Sequence, residues 1–384
     1  MDEKEVQHIL IEILYATVNE VENDTSITQK ITPDILASIY RLAKRHDLAH
    51  IVSNFVYRNK IELDQELRTK LKREELMSVY RCEQMKYAFE EICSVFDAAK
   101  VAYIPLKGSV LRPYYPYESI RTSCDIDILI HEYDLDTAIS NLQRKGYRCG
   151  NRHYHDVSLY SPNRIHLELH FNIQENMDVL DAVLKDAWQY ATLTRGSRYD
   201  FRKDFFVFHM YAHMAYHFLS GGCGIRSLLD IWIMEHKMDA PYSCADVLLK
   251  KAGIYKFAVE MSSISNKCFT VNARDAVSDL VLKYIYSGGV YGSAENNIAV
   301  EKSKTNSSVV YVLKRMFLPY KFMTLIYPIL KKVPFLLPFC WVARWIKAIF
   351  KGKSKQIISE VSRANNISNN KIEEIKEIRR NLGL

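Results

Sequence analysis

Two aspartates placed two positions apart carry the clearest chemical signal in this 384-residue sequence. Asp125 and Asp127 lie in the run DIDILI, whose apolar alternation is typical of a β-strand. Residues i and i+2 of a strand point to the same face, so the two carboxylates project together. Side by side they repel one another, and a divalent cation relieves that repulsion. Because Mg²⁺ and Mn²⁺ prefer carboxylate and phosphate oxygens, the pair predicts a site for one of these ions beside a phosphate-bearing substrate.

A turn and a second polar strand flank this pair. The short apolar run VAYIPL leads into the segment Lys107–Ser109, a turn that offers a close backbone approach and a hydroxyl at the start of a helix. Further on, the alternation in IHLELH places His166, Glu168 and His170 on one strand face. Glu168 is the only acid of that strand and is the predicted third metal ligand. The alternative is a solvated polar face of an edge strand.

Three carboxylates and a phosphate-binding turn suit two-metal nucleotidyl transfer. We expect Asp125 and Asp127 to bind both cations and to be catalytic. Glu168 is expected to complete the metal that is held with the acceptor and to help activate the acceptor oxygen. Gly108 and Ser109 are the residues expected to bind the β- and γ-phosphates.

Four further polar residues are candidates for nucleotide binding. Lys107 and Arg121 could contact the triphosphate, since charge-assisted hydrogen bonds suit phosphate oxygens. Lys107 could equally pair with one of the carboxylates, and Arg121 could form a salt bridge within its loop. Arg226 and Asp230 are spaced i, i+4, which leaves open an ion pair along a helix or a place in the nucleotide pocket.

Histidines are concentrated in two places. His209, His213 and His217 follow an i, i+4, i+8 spacing and share one helix face. This spacing could bind zinc, but no cysteine or acid completes such a site nearby, which favours a structural or substrate-facing role. The pair His153 and His155 is expected on an exposed strand face.

The elements that must position these residues begin with a helical region, residues 1–100. Helical spacing recurs throughout, and the pattern over residues 65–99 contains neither Gly nor Pro. Pro33 follows Thr32, which is typical of a first-turn proline after an N-cap.

Residues 101–177 form the predicted nucleotidyltransferase core. Strand and helix patterns alternate there, with a helix over residues 135–145 that Gly146 ends. Alternating runs over residues 152–160 and 164–172, joined by residues 161–163, predict two strands and a hairpin.

Helical patterns return over residues 178–290, a region expected to contact substrate or nucleotide, and again over the C-terminal region 309–384. Residues 287–308, rich in Gly and Ser, are the predicted linker, and an amphipathic helix is expected over residues 356–381. The predicted fold class is α+β, with a small mixed β-sheet flanked by large N- and C-terminal helical regions.

Composition excludes several classes of protein. Hydrophobic residues make up 48% and charged residues 25%, which is typical of a globular protein. Eight cysteines without CxxC spacing predict reduced thiols rather than a disulfide framework. The acidic start MDEKEVQHILIEIL predicts no signal peptide, and no run reaches the roughly 18–20 apolar residues of a membrane span. A cytoplasmic location is therefore expected.

The positive charge is concentrated near the C-terminus. Residues 309–355 contain ten Lys and Arg and no acid, although the whole chain carries only +7. Trp341 and Trp345 among apolar neighbours indicate contact with an anionic membrane surface, and hence a location at the inner membrane face. The alternative is a helical hairpin packed on the protein with its cations in solvent. Nucleic acid is disfavoured as a partner, because the charge lies away from any recognisable reading motif.

Together these motifs resemble the DNA polymerase β-type nucleotidyltransferase superfamily. More specifically, the chain is similar to a bacterial family of uncharacterised nucleotidyltransferases that are often encoded among surface-polysaccharide genes. The similarity rests on LKGSVLRPYY, the DIDILI strand and LELH, and extends to the spaced histidines, GIRSLLD and the C-terminal YPILKKVPFLLPFCWVARWI. Fifteen residues separate Ser109 from Asp125, a gap longer than is usual in the superfamily but compatible with the narrower family.

The resemblance implies Mg²⁺-dependent transfer of a nucleoside monophosphate from an NTP to an acceptor hydroxyl or phosphate, in surface-polysaccharide biosynthesis. The base and the acceptor stay open. Two alternatives remain, namely toxin-like nucleotide modification of protein or tRNA, and a non-catalytic adaptor in a membrane-associated assembly. Retention of all three carboxylates argues against the adaptor.

Overall fold

The computed structural model describes residues 3–21, 25–271, 273, 275–290, 292–305, 313, 316–350 and 366–384. In these residues a seven-stranded mixed sheet is flanked by helical regions towards both ends of the chain, which confirms the predicted α+β class. Within the same residues, none of the helices combines the length and the apolar character that crossing a membrane requires.

The N-terminal region is helical, as predicted. Its helices are α1 (Glu3–Val18), α2 (Thr25–Thr28), α3 (Pro33–Arg45), α4 (Ala49–Arg58) and α5 (Gln65–Ala99). At the start of α3, the Thr32 hydroxyl accepts from the Ile35 N–H and Pro33 occupies the first turn. Asp64 caps the start of α5, and Lys100 in the left-handed conformation ends it. The predicted helical pattern therefore agrees with α5 along its whole length.

Seven strands form the sheet: β1 (Tyr103–Pro105), β2 (Asp125–Ile130), β3 (Arg148–Arg152), β4 (Asp156–Tyr160), β5 (His166–His170), β6 (Ala191–Arg195) and β7 (Arg198–Phe201). Their order across the sheet is β3-β4-β5-β2-β1-β7-β6. β2 runs parallel to β5 and antiparallel to β1, while β4 and β5 form the predicted hairpin. In the pairing of β2 with β5, Asp127 lies opposite Glu168 and Asp125 opposite His166.

The alternation along β2 separates the two faces of the sheet. Ile126, Ile128 and Ile130 pack in one core with α5 and with α7 (Leu135–Arg144), which follows the single-turn α6 (Gly108–Leu111). Asp125 and Asp127 therefore occupy the other face, which α5 and α7 do not cover.

Two elements of the sheet differ from the prediction. β6 and β7 lie in a region expected to be helical, and Gly196 makes the turn between them with φ +57°. A Cβ at Gly196 would lie 2.6 Å from Asp97 Oδ1, so the turn depends on glycine. The predicted strand 152–160 is also interrupted, because β3 ends at Arg152 and β4 begins at Asp156. Both errors involve strands of four or five residues, too short for their alternation to stand out.

The remaining helices are α8 (Asp178–Leu184), α9 (Lys203–Leu219), α10 (Arg226–His236), α11 (Asp246–Lys251), α12 (Tyr255–Phe269), α13 (Ala276–Ser287), α14 (Ala294–Thr305), α15 (Tyr320–Ile326), α16 (Leu337–Phe350) and α17 (Asn369–Leu382). The prediction of a linker over residues 287–308 is wrong over α14, where Asn296, Ile298 and Ala299 are buried. Those side chains pack against the protein, so the helix is part of its core rather than a spacer. Residues 356–365 of the predicted C-terminal helix lie outside the described residues.

Candidate active site

A cavity of about 360 Å³ lies between the polar face of the sheet and α9. It is lined by seven of the nine predicted site residues: Lys107, Gly108, Arg121, Asp125, Asp127, Glu168 and Arg226. The other two, Ser109 and Asp230, do not line it. The fold thus brings the three predicted carboxylates and three predicted cations to one place.

The carboxylates form two overlapping groups that could each hold a cation. Asp125, His166 and Glu168 offer ligand atoms that all lie within 4.8 Å of one another, and the same is true of Asp127, Glu168 and His170. Glu168 belongs to both groups because it stands next to Asp127 on the neighbouring strand. Oxygen ligands suit Mg²⁺ and Mn²⁺, whereas the imidazoles also suit softer divalent ions.

The three carboxylates differ in how readily they ionise. Burial opposes ionisation of Asp127, but Lys107 Nζ at 3.1 Å and His170 Nε2 at 3.0 Å from Oδ1 outweigh burial and hold its pKa well below the usual range. Burial and the charge of Asp127 raise the pKa of Asp125. Burial and the two aspartates raise the pKa of Glu168 to about 7. The site therefore holds one carboxylate whose ionised form is favoured and two whose ionised forms are disfavoured, and positive charge from a bound cation would favour ionisation of those two.

Lys107 is held in an unusual backbone conformation. Its φ of +44° and ψ of −109° are rarely adopted by a residue with a side chain, at a cost of roughly 1–3 kcal/mol. Burial lowers the pKa of Lys107, but Asp127, Glu175 and Asp125 more than compensate and raise it, so the ammonium stays charged. Of the two roles predicted for Lys107, the structure shows the pairing with a carboxylate.

Arg121 is fixed by a buried network. Its Nη2 and Nε donate to Asp230 at 2.9 and 3.2 Å, and the Tyr115 hydroxyl donates to the same carboxylate at 2.7 Å. A Cβ at Gly108 would lie 2.6 Å from Arg121 Nη1, so only glycine permits this approach. Asp230 therefore lies behind Arg121 and positions it.

Arg226 and Asp230 do not pair with each other along the helix, although their i, i+4 spacing would allow it. Arg226 Nη1 donates instead to Asp47 Oδ2 at 3.1 Å and to the Thr122 carbonyl at 2.9 Å. Asp230 pairs with Arg121, and both side chains are buried. Asp230 is buried and Arg226 is partly buried, and each pairs with a residue of another element rather than along α10.

The structure corrects the expectation for Ser109. Its N–H donates to the Leu106 carbonyl at 3.1 Å, and its side chain lines a separate cavity beside Arg112 and Arg198. The positive φ of Lys107 and the single turn of α6 direct Ser109 away from the carboxylates. Its position therefore gives no support to the predicted contact with phosphate.

Histidines from α9 line the wall opposite the carboxylates. His209, His213 and His217 all line the cavity, which confirms that they share one helix face. An acid contacts this group, since Glu175, in the loop after β5, lies 2.8 Å from His213 Nδ1, but it forms a hydrogen bond there rather than part of a metal-binding group. The Glu175 carboxylate can only accept, so Nδ1 of His213 donates, and its Nε2 accepts from His217 Nε2 at 3.0 Å.

These histidines are neutral at physiological pH. Burial and then the charge of Lys107 lower the pKa of His213 well below its usual value. Burial and the neighbouring His213 lower the pKa of His209 and of His217 to about 3. The cavity thus has an ionic wall on the sheet and a neutral, hydrogen-bonding wall on α9.

One further residue of the cavity, His155, differs from its predicted position. His155 was expected on an exposed strand face, but the break between β3 and β4 turns it into the cavity, whereas His153 is exposed. Its ring stacks on His170 with centroids 5.6 Å apart, and its Nε2 lies 3.1 Å from Asp156 Oδ1. Burial and His170 lower the pKa of His155. For Glu175 no local pattern existed, because its partner lies 38 positions away.

A cluster of strand-borne carboxylates facing basic side chains in one cavity is the arrangement expected of an enzyme that transfers phosphorus-containing groups. Residues 36–269 match the model of a family described as uncharacterised nucleotidyltransferase. This range is more than half of the chain and contains every residue of the cavity, so the protein belongs to that family. Comparisons with curated proteins and with solved structures give no match. The predicted nucleotidyltransferase family is confirmed, and nucleotidyl transfer is its class of activity.

Proposed function

We propose that the protein transfers a nucleoside monophosphate from an NTP to an acceptor hydroxyl or phosphate. Asp125, Asp127 and Glu168 would hold Mg²⁺ or Mn²⁺. The observation that carries the proposal is the pair of ligand groups that share Glu168 and face basic side chains in one cavity. When bound, the cations supply the charge that polarises phosphate oxygens and favours the ionised acceptor. Their positive charge would also favour the ionised forms of Asp125 and Glu168, whose pKa values are raised.

The basic residues are assigned to the nucleotide. Arg121 is held by Asp230 and lines the cavity, so its charge is already oriented when the leaving pyrophosphate develops negative charge. Lys107 and Arg226 line the same cavity and would contact phosphate oxygens. The absent side chain of Gly108 leaves room for Arg121.

We assign the α9 wall to the acceptor. Glu175 holds His213 in one tautomer, and the imidazoles are neutral, so they can accept or donate a hydrogen bond to an acceptor hydroxyl. In the reaction, the acceptor oxygen forms a bond to the α-phosphorus while the bond to pyrophosphate breaks, and the acceptor proton passes to a base in the cavity. Glu168 stands beside Asp127 and would complete the cation held with the acceptor.

The test uses NTPs labelled at the α-phosphate, incubated with the full chain, Mg²⁺ or Mn²⁺ and a cell extract. We expect one NTP to label an acceptor with release of pyrophosphate. Asp127→Asn is expected to abolish labelling. Asp136→Asn, in a second Asp-x-Asp pattern outside the cavity, is expected to leave it unchanged.

The labelled product separates the proposed pathways. A role in surface-polysaccharide biosynthesis predicts label on a small sugar phosphate. Label on protein or tRNA would favour toxin-like modification. Absence of label with every NTP and both cations would contradict the proposal and favour the non-catalytic adaptor.

A further inference from the structure

The segment 316–350, here called the C-terminal basic unit, packs around its own small core. Met323, Leu330 and Cys340 are buried in that core, which is separate from the two larger cores of the protein. α15 and α16 contribute to it together with two short 3₁₀ turns, Pro328–Lys331 and Pro334–Leu336.

One side of this unit is a continuous apolar stripe that faces solvent. Phe335, Phe339, Val342 and Ile346 are 77%, 69%, 48% and 49% exposed. Phe339, Val342 and Ile346 share one face of α16 by their i, i+3, i+7 spacing, and Phe335 lies in the 3₁₀ turn that leads into this helix. We call these four residues the outer stripe. Large apolar side chains scattered singly on a surface are ordinary, but four in a line indicate a surface that another phase or molecule covers.

The tryptophans do not belong to the outer stripe, contrary to the sequence-based expectation. Trp341 Nε1 donates to the Leu318 carbonyl at 2.9 Å, and Trp345 Nε1 donates to the Met316 carbonyl at 3.0 Å. Phe317 packs edge-on against both indole rings. These contacts turn both indole rings towards the segment that precedes α15, so they are not part of the outer stripe.

Charge identifies what covers the stripe. The sequence contains no acid between Glu301 and Glu360. Within the described part of that interval, Lys331, Lys332 and Lys347 are exposed, and each lies within four positions of a stripe residue along the chain. Lys314, Arg315, Lys351, Lys353 and Lys355, which also belong to the predicted basic stretch, lie outside the described residues. An apolar stripe within an acid-free basic segment complements a surface that is anionic outside and apolar below.

We propose that the outer stripe and its flanking lysines dock the protein on a membrane surface that contains anionic lipid. α16 lies in the plane of the interface, with the stripe among the acyl chains and the lysines at the headgroups. The proposal does not depend on the reaction proposed for the cavity.

The test is co-sedimentation of the full chain with vesicles of phosphatidylcholine alone or with phosphatidylglycerol added. We expect binding to the anionic vesicles and much less to the neutral ones. Changing Phe335, Phe339, Val342 and Ile346 to Ser should abolish binding. Changing Lys331, Lys332 and Lys347 to Gln should weaken it by about fivefold per lysine and reduce its dependence on salt. The matched control changes Leu193 and Val247, also exposed but outside the unit, to Ser and should bind normally.

Circular dichroism and the thermal transition establish whether each variant is folded. If the Ser variant does not fold, the lysine variant still tests the proposal. Equal binding to both kinds of vesicle, or binding that survives the Ser changes in a folded protein, would overturn the proposal. So would the absence of any binding. A dimer in light scattering that the Ser changes abolish, without vesicle binding, would assign the stripe to a second copy of the chain.

Discussion

The cavity and the C-terminal basic unit use charge in opposite ways. In the cavity, positive and negative groups alternate within hydrogen-bond distance and are buried, as in Lys107 with Asp127 and Arg121 with Asp230. In the basic unit, the side chains of Lys331, Lys332 and Lys347 are exposed to solvent, and the small core of the unit is apolar. Burial removes water from a charge, so each charge in the cavity needs an internal partner. Exposed cations are solvated and remain available to a partner outside the protein.

The two regions also differ in the distance along the chain over which they are assembled. Arg121 and Asp230 are 109 positions apart, and Arg226 and Asp47 are 179 apart. In the basic unit, Trp341 reaches Leu318 across only 23 positions. A substitution in the cavity should therefore remove contacts between several helices and strands at once. A substitution of a solvent-facing side chain in the basic unit should remove no such contact.

The largest expected effect is on catalysis by the two aspartates. Asp125→Asn and Asp127→Asn should each lower the rate of nucleotidyl transfer by about a thousandfold or more. Metal stabilisation of the transition state is worth several kcal/mol, and each 1.4 kcal/mol is tenfold. Steady-state assays with the labelled NTP measure the loss, and a fall of less than tenfold in either variant would contradict the assignment.

The same two variants should have opposite effects on the stability of the metal-free protein. Asp127→Asn leaves Lys107 without its anion and should destabilise the fold. Asp125→Asn removes a buried carboxyl that Asp127 repels and should stabilise it slightly. Urea unfolding in EDTA measures both changes. Equal shifts of the two urea midpoints would contradict the conclusion that Lys107 pairs with Asp127 rather than with Asp125.

Loss of the anion behind Arg121 should destabilise the protein strongly. Asp230→Asn leaves the buried Arg121 guanidinium uncompensated, at an expected cost of about 3–5 kcal/mol in the free energy of unfolding. The matched control is Glu66→Gln, which breaks the exposed pair of Glu66 with Lys70 and should cost no more than about 1 kcal/mol. Similar costs for the two variants would contradict the difference drawn between buried and exposed charge.

A smaller effect is expected on the pH dependence of stability. The pKa of Glu168 rises to about 7 in the folded protein, so between about pH 4.5 and 7 the folded state binds more protons than the unfolded state. The contribution of Glu168 to the free energy of unfolding should therefore fall as the pH rises through this range. Because other groups titrate as well, the measurement is the difference between the wild type and Glu168→Gln in EDTA. A constant difference from pH 4.5 to 7 would contradict the prediction.

The smallest expected effect is on stability in the outer stripe. Phe339→Ser should change the free energy of unfolding by no more than about 0.5 kcal/mol, because the side chain is largely exposed. Phe208→Ala, in the buried core on α9, should cost about 3–5 kcal/mol. A large loss in the free energy of unfolding for Phe339→Ser would show that the outer stripe is packed within the protein. It would contradict the difference drawn here between the basic unit and the cavity.

The sequence by itself determined the features that depend on local periodicity. The alternation of DIDILI placed Asp125 and Asp127 on one face, and IHLELH did the same for Glu168 and its neighbours. The helical pattern and the absence of Gly and Pro determined the extent of α5. The family was also predictable, since its motifs are short and contiguous. The strand and helix signals repeat every two to four residues, and the family motifs are contiguous, so neither depends on what lies across the fold.

The tertiary structure alone decided which partner each polar side chain takes. It directed Ser109 away from the carboxylates, placed Asp230 behind Arg121 and brought Glu175 to His213. It also turned Trp341 inward, so that the outer stripe rather than the indoles faces solvent. A buried charge or donor takes the nearest complementary group in space, and loops bring that group from tens to hundreds of positions away. Local sequence patterns contain no record of those distances.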